Sequence, residues 1–160
     1  MMGLAALMSS PALTAFSGLA FAADRQGKRP KGSRLRPGDT IGLIEPASAS
    51  ADPVDLVLVE EAIRAMGLVP KRARNLLKRY GYLAGKDKER GSDINAMFAD
   101  KDVKAIFAVR GGWGAARLLP LLDYEAMRRN PKVLLGYSDI TALHCAIQAK
   151  VGLVTFHGTM

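Results

Sequence analysis

The sequence predicts an α/β fold, an open and mostly parallel sheet with helices on both faces. Three observations carry that expectation. Short apolar runs suited to buried strands recur at Thr40–Ile44, Val103–Val109 and Lys132–Gly136. Segments with apolar residues at helical spacing separate them, which favours parallel strands joined by crossovers. Glycine-flanked corners follow two of the runs, at Arg110–Gly114 and Gly136–Asp139, and open parallel sheets bind ligands beyond the carboxyl ends of their strands.

The elements follow in order. Arg36-Pro37-Gly38-Asp39 reads as a turn into the strand Thr40–Ile44. A small-residue loop, Glu45 to Ser50, leaves that strand. Asp52 then caps a helix with Pro53 at its first position, Leu56, Val59, Ile63 and Met66 share one face, and Gly67 ends it. Leu68–Ala73 can form a second strand, and the basic stretch Asn75–Lys86, with Tyr80-Gly81-Tyr82, reads as a loop. A helix over Asp87–Ala99 aligns Ile94, Met97 and Phe98. The strand Val103–Val109 runs into the Arg110–Gly114 turn, after which Ala115–Leu119 opens another helix. Asp123–Arg129 makes a short helix that Asn130-Pro131 stops. The strand Lys132–Gly136 meets a sharp corner at Tyr137-Ser138-Asp139, and Ile140–Lys150 is a helix with Ile140, Leu143, Ile147 and Val151 on one face. A last strand over Leu153–Phe156 leads to His157.

Length and charge narrow the function. The chain has 160 residues, 23 Lys+Arg against 15 Asp+Glu, and a formal charge of +8. That balance first suggests a polyanion binder, but the charge is uneven. Met1–Ala23 carry none, Asp24–Arg36 hold six basic residues against one acid, and Pro37–Met160 carry a net of only +3. The expected organisation is a leader over 1–23, a basic linker over 24–36 and a domain over 37–160. The leader is apolar and ends in Ala20-Phe21-Ala22, a small-x-small pattern of the kind signal peptidase accepts. Pro11, Gly18 and many small residues make it a poor stable membrane span. Export, to the periplasm after cleavage near Ala22/Ala23, is the expectation, with a cytoplasmic location if the leader is not a functional signal. With aromatics at 6% and no stacking pattern, no nucleic-acid partner is expected. One cysteine and two histidines leave little material for a metal site, so no metal or cofactor is expected.

The two corners hold the candidate chemistry. Ser138 falls where a strand turns directly into a helix, so helix dipole and free N–H groups favour negative charge beside it. The pattern is close to G-x-S-x-G, with Ile140 in place of the second glycine. The N–H of Asp139 and the backbone of Gly112 are candidate oxyanion donors. On spacing alone, Ser138 also suits a helix cap and the Gly-Gly turn suits plain loop geometry. Ser48, Arg110, Gly111, Trp113 and His157 are candidates for lining a substrate pocket, with loop or bracing roles open for Ser48 and Arg110. Glu45 reads first as a loop partner, Tyr80 and Tyr82 as packing on the sheet edge, and Cys145 as a buried small hydrophobe. His144 reads as a packed or rim residue turned away from the corner.

Arg110-Gly-Gly-Trp-Gly-Ala-Ala-Arg-Leu-Leu-Pro-Leu-Leu-Asp-Tyr and Asn130-Pro-Lys-Val-Leu-Leu-Gly-Tyr-Ser-Asp-Ile-Thr-Ala-Leu-His together closely resemble the LD-carboxypeptidase family of serine peptidases. Arg36-Pro-Gly-Asp, the Pro46-Ala-Ser loop, Tyr82-Leu-Ala-Gly and His157-Gly are similar too. The resemblance spans about Leu35 to Met160, with Trp113 where tyrosine is usual and Thr159 where proline is common. It implies a Rossmann/flavodoxin-like N-terminal domain and a Ser-His-Glu hydrolase that removes terminal D-alanine from murein tetrapeptides through an acyl-enzyme. It assigns Ser138 as nucleophile, and Asp139 and Gly112 as backbone oxyanion donors. The glutamate and histidine would come from a C-terminal domain beyond Met160, so little activity is expected from this chain alone. A homodimer is compatible with the family. Relatives include an immunity peptidase acting on microcin C-type aminoacyl nucleotides. A non-catalytic binding module for peptidoglycan fragments or small ligands is the alternative of another class.

Overall fold

A computed structural model of the protein describes residues 29–159. The expected leader, and the linker before Arg29, lie outside the described residues. Five strands, β1 (Thr40–Ile44), β2 (Val69–Arg72), β3 (Val103–Ala108), β4 (Val133–Gly136) and β5 (Phe156–His157), form one sheet in the order β2-β1-β3-β4-β5. Every pairing is parallel. Four helices connect them: α1 (Pro53–Ala65), α2 (Asp87–Ala99), α3 (Tyr124–Arg129) and α4 (Thr141–Val151).

Local chemistry accounts for most boundaries. The Asp52 carboxylate accepts from the Val54 N–H at 2.8 Å, with Pro53 pre-set for the first turn of α1. The Glu89 carboxylate reaches back to the Lys86 N–H at the start of α2. Asp123 caps α3 through the Ala126 N–H, and Asn130-Pro131 ends it. The Ala115–Leu121 segment forms a 3-10 helix and not the expected α-helix. Pro120 has no N–H to give an α-helical bond, and the segment stays in the tighter form.

Side chains alternate across β1 and β3 and divide the core between the two faces. Ile41, Leu43, Ala105 and Phe107 meet Leu56 and Ile63 of α1. On the other face Ile44, Val103, Ile106 and Ala108 pack with Ile94, Met97 and Phe98 of α2, Met127 of α3, and Leu143, Ile147 and Val151 of α4. A register shift sets one extra residue, Lys104, into β3, so Val103 and Ile106 face the same side. Each fully buried Leu, Ile or Phe contributes about 1.5–3 kcal/mol through removal of apolar surface from water.

Two terminal features differ from expectation. The last ladder is Phe156–His157, whereas Val154 makes an isolated parallel bridge to Lys31 and its N–H donates to the Pro30 carbonyl at 2.9 Å. Pro30–Gly32 of the basic segment therefore lie on the domain. Leu35 packs against the α1 side of the core. Cys145 is exposed, not buried. It follows Leu143 by two positions, which on a helix turns it away from the buried Leu143–Ile147–Val151 face.

Lys132, just before β4, is almost wholly buried at the end of the sheet remote from the corners. Its Nζ donates to the Met97 carbonyl at 2.9 Å and to the Asp100 carbonyl, covering orphan acceptors at the end of α2. Burial brings its pKa down to about 8, against the opposing charge of Asp100. Above that pH the unfolded chain holds a proton that the folded one has lost, until the ordinary value of 10.5 is passed. Folding stability contributed at this site therefore rises with pH across that window. Urea unfolding of the native chain and K132M should show a stability difference that shifts toward the native chain between those values. A pH-independent difference would contradict the assignment.

Candidate active site

Both predicted corners lie at the carboxyl end of the sheet. β3 and β4 are neighbours, so the turn after β3 and the corner after β4 face each other. Ser138 leaves β4 with φ 57°, a left-handed conformation for a residue with a β-carbon. It is exposed and opens a 3-10 turn, Ser138–Ile140, that runs directly into α4. Such a conformation costs of order 1–3 kcal/mol and persists where surrounding structure enforces it. Gly136 permits the sharp return: a β-carbon there would stand 2.7 Å from Ile140 Cγ2 and 3.1 Å from Ala108 Cβ. The corner presents the Ser138 side chain to solvent at a helix N-terminus.

The glycine turn is pressed against this serine. A β-carbon at Gly111 would lie 2.9 Å from Ser138 Cβ, 3.1 Å from the Tyr137 carbonyl oxygen and 3.3 Å from Ser138 Oγ. Gly112 has φ 120°, and a β-carbon on it would fall 2.2 Å from Ser48 Oγ. A side chain at either position would collide, with Ser138 from Gly111 and with Ser48 from Gly112, and at Gly111 this leaves backbone facing the hydroxyl.

Ser48 and Arg110 act as braces in this structure. The Ser48 N–H donates to the Gly111 carbonyl at 3.4 Å, and Ser48 Oγ accepts from the Trp113 N–H at 3.2 Å. Arg110 Nη1 donates to the Ala49 carbonyl at 2.9 Å. The loops after β1 and β3 are thereby stitched together. Asp139 adds a link that no local sequence signal marks: its carboxylate accepts the Ala115 N–H at 2.8 Å, tying the corner to the exit of the glycine turn. Glu45 is buried and accepts from the Ser50 N–H at 3.0 Å, from Ser50 Oγ and from the Leu77 N–H at 3.3 Å. It is a loop partner.

The two histidines sit beside the corner. His157 pairs in register with Gly136 and is exposed at the sheet end. His144 is buried, with its ring centroid 6.0 Å from that of His157. It does not turn away from the corner, as helical geometry suggested; its Nε2 lies 3.0 Å from the Gly136 carbonyl, which also accepts the Gly158 N–H at 3.1 Å. A carbonyl only accepts, so Nε2 carries the proton. Nδ1 is buried without a partner among the described residues. Burial lowers the pKa of His144, the Gly136 carbonyl opposes that shift, and His157 adds to it.

Tyr82 and Trp113 form an exposed edge-to-face pair with centroids 5.8 Å apart, so Tyr82 packs on the glycine turn and not on the sheet edge. Tyr80 is also exposed. The Arg117 guanidinium lies 5.9 Å from the Trp113 ring centroid. Arg90 carries no motif in the sequence, although its register with Ile94 and Met97 places an arginine on the buried face of α2. Among the described residues no three His, Cys, Asp or Glu gather as a metal set.

The fold and these corners define a class: a parallel α/β unit whose exposed serine stands at a strained strand-to-helix turn, walled by glycine backbone. The chain belongs to the LD-carboxypeptidase N-terminal domain family, which its residues 41–158 match. It is similar to a protein named probable murein peptide carboxypeptidase from Bacillus subtilis (strain 168), with 45% identity over 130 residues, 81% of this chain and 40% of that protein. It is 35% identical over 130 residues to the microcin C7 self-immunity protein MccF of Escherichia coli, covering 78% of this chain and 37% of that protein. Among solved structures, an MccF-like protein from Bacillus anthracis str. Ames superposes with a TM-score of 0.78 at 32% identity, over 81% of this chain and 40% of that one. The chain thus spans about two fifths of the length of the relatives it matches.

Proposed function

We propose that this unit is the nucleophile-bearing part of a serine LD-carboxypeptidase acting on murein peptides. The observation that carries the reading is the left-handed Ser138, exposed at the head of α4 with Gly111 backbone against its hydroxyl. In the proposed reaction Ser138 Oγ attacks the carbonyl before the terminal D-amino acid. The backbone N–H groups of Asp139 and Gly112 stabilise the resulting oxyanion. Collapse expels the D-amino acid and leaves an ester on Ser138, which water hydrolyses. A serine hydroxyl needs a base to act near neutral pH, and no side chain described above is hydrogen-bonded to Ser138 Oγ. His144 is committed through Nε2 to Gly136. A histidine and a glutamate from a second domain complete the triad in this reading.

The test compares three preparations: this chain alone, this chain fused to the C-terminal part of the Bacillus subtilis relative, and the same fusion carrying S138A. The fusion is expected to release D-alanine from a murein tetrapeptide, and the other two are not. Rapid release by the chain alone, or equal release by the S138A fusion, would contradict the proposal.

The exposed Tyr82–Trp113 pair beside the glycine turn favours a second reading, an immunity-type peptidase acting on an aminoacyl nucleotide whose base stacks on an aromatic face. Relative rates of the fusion on the tetrapeptide and on an aminoacyl sulfamoyl nucleoside decide between the two.

A further inference from the structure

We propose that Arg90 is the positioning residue of the oxyanion corner, clamping the loops after β1 and β3 into one wall opposite Ser138. The inference rests on the reading of Ser138 as nucleophile.

Arg90 is 1% exposed, among the largest fully buried side chains described. Its Nη1 donates both to the Pro46 carbonyl, in the loop after β1, and to the Gly114 carbonyl at 3.2 Å, at the end of the glycine turn. Its Nη2 pairs with Asp87 one turn earlier on α2. Asp87 is shared: Arg117 reaches the same carboxylate through Nε at 2.9 Å and Nη2 at 2.7 Å. Arg117 in turn lies against Trp113. The first turn of α2 thereby holds the backbone of the glycine turn through Arg90 and its aromatic side chain through Arg117.

Core packing alone does not ask for a guanidinium at this place. The residues of α2 in register with it, Ile94 and Met97, are apolar, and a methionine would fill similar space. Burying an arginine is costly unless its charge and donors are matched, and here Nε remains without a partner among the described residues. What a guanidinium supplies is a rigid fork whose one arm, Nη1, bridges carbonyls on two separate loops while the other, Nη2, is held by Asp87. Gly114 is laid directly on that fork: at φ 107°, its β-carbon would stand 2.7 Å from Leu83 Cδ2 and 3.3 Å from Arg90 Nη1. The Ser48–Gly111 and Ser48–Trp113 bonds join the same two loops, the first at the glycine that lies against Ser138, so Arg90 and Ser48 fasten the two loops at different points.

Amide hydrogen exchange on the 160-residue chain tests this without any assay of activity. In R90M the Trp113 and Ala115 amides, bonded to Ser48 Oγ and Asp139, are expected to exchange at least about tenfold faster, with Ile106 and Leu134 amides in β3 and β4 unchanged. R90K, a point charge without the fork, should fall between. Unchanged exchange at Trp113 and Ala115 overturns the proposal. So does an even rise across the strands, which would make Arg90 a general stabiliser. If R90M does not fold, D87N keeps the guanidinium and removes its ionic partner; a rise of about threefold or more at the same two amides is expected, and none overturns the proposal. In the fusion enzyme R90M should lower kcat by about tenfold or more with KM within about twofold, as for donors that act on the transition state. A loss confined to KM overturns it. If the S138A fusion stays active, the reading of Ser138 falls, while the exchange result still decides whether Arg90 holds the wall.

Discussion

Gly112→Ala is expected to destabilise the chain by about 2–4 kcal/mol, combining backbone strain at positive φ with overpacking. The reason is local and double. The position has φ 120°, and the added methyl would be placed 2.2 Å from Ser48 Oγ and 2.5 Å from Ser48 Cβ. Relief requires Ser48 to move, which breaks its bond to the Trp113 N–H and disturbs its bond to the Gly111 carbonyl. Gly38→Ala is the matching control, because Gly38 also has positive φ, 88°, but nothing lies within 4 Å of its β-carbon position. That variant should lose only about 1 kcal/mol, the conformational part of the effect. Urea unfolding of both variants separates strain from collision. Equal losses would mean that Ser48 yields freely and that the wall of the site is soft.

Ser138→Ala in the fusion enzyme is expected to lower turnover by about 10⁴-fold or more, the scale on which removal of a serine nucleophile acts. Its effect on folding should be small, because alanine keeps the β-carbon that makes φ 57° unfavourable. Ser138→Gly should be equally inactive yet more stable than the alanine variant by about 1 kcal/mol, since glycine adopts left-handed backbone without steric cost. The pair of variants separates chemistry from strain: both lose the hydroxyl, and only one relaxes the corner. Thermal melting of S138A and S138G in this chain, together with D-alanine release by the two fusions, checks both parts. A glycine variant less stable than the alanine variant would show that the corner is not strained.

Much of this architecture was legible because its signals are local. Asp52-Pro53 and Asn130-Pro131 mark helix ends by their own backbone chemistry, and the β1, β3 and β4 runs are too apolar to be anything but buried. The corners were legible because a strand, a glycine and a serine followed each other within a few residues. Other features depend on residues far apart in sequence. Arg90 meets Pro46 across 44 positions, and Asp139 meets Ala115 across 24. Neither partner advertises the bond, since each is a backbone group. Ser48 reads from the sequence as a pocket candidate with a loop role open, and its bond to Trp113 depends on how two loops cross. The last strand lies later than its apolar run suggests, because Leu153 is buried without pairing and only Phe156 and His157 join the ladder. His144 is packed, as one of its two readings has it, but helical geometry does not give its direction, because the Gly136 carbonyl it meets belongs to the preceding strand.

Under the proposed function, the braces also define what a completing domain must provide. Ser48, Arg110, Asp139 and Arg90 are engaged in holding backbone, and His144 is engaged with Gly136. The proposed chemistry therefore depends on a proton acceptor brought from elsewhere to a serine that this unit has already aimed.

The most direct measurement is the site of covalent modification when the fusion enzyme is treated with a fluorophosphonate and digested for mass spectrometry. One stoichiometric adduct is expected, on the peptide carrying Ser138, with parallel loss of D-alanine release and no adduct in the S138A fusion. An active fusion that is inhibited through a different residue, or that releases D-alanine while Ser138 remains unmodified at full inhibitor exposure, would contradict the proposal.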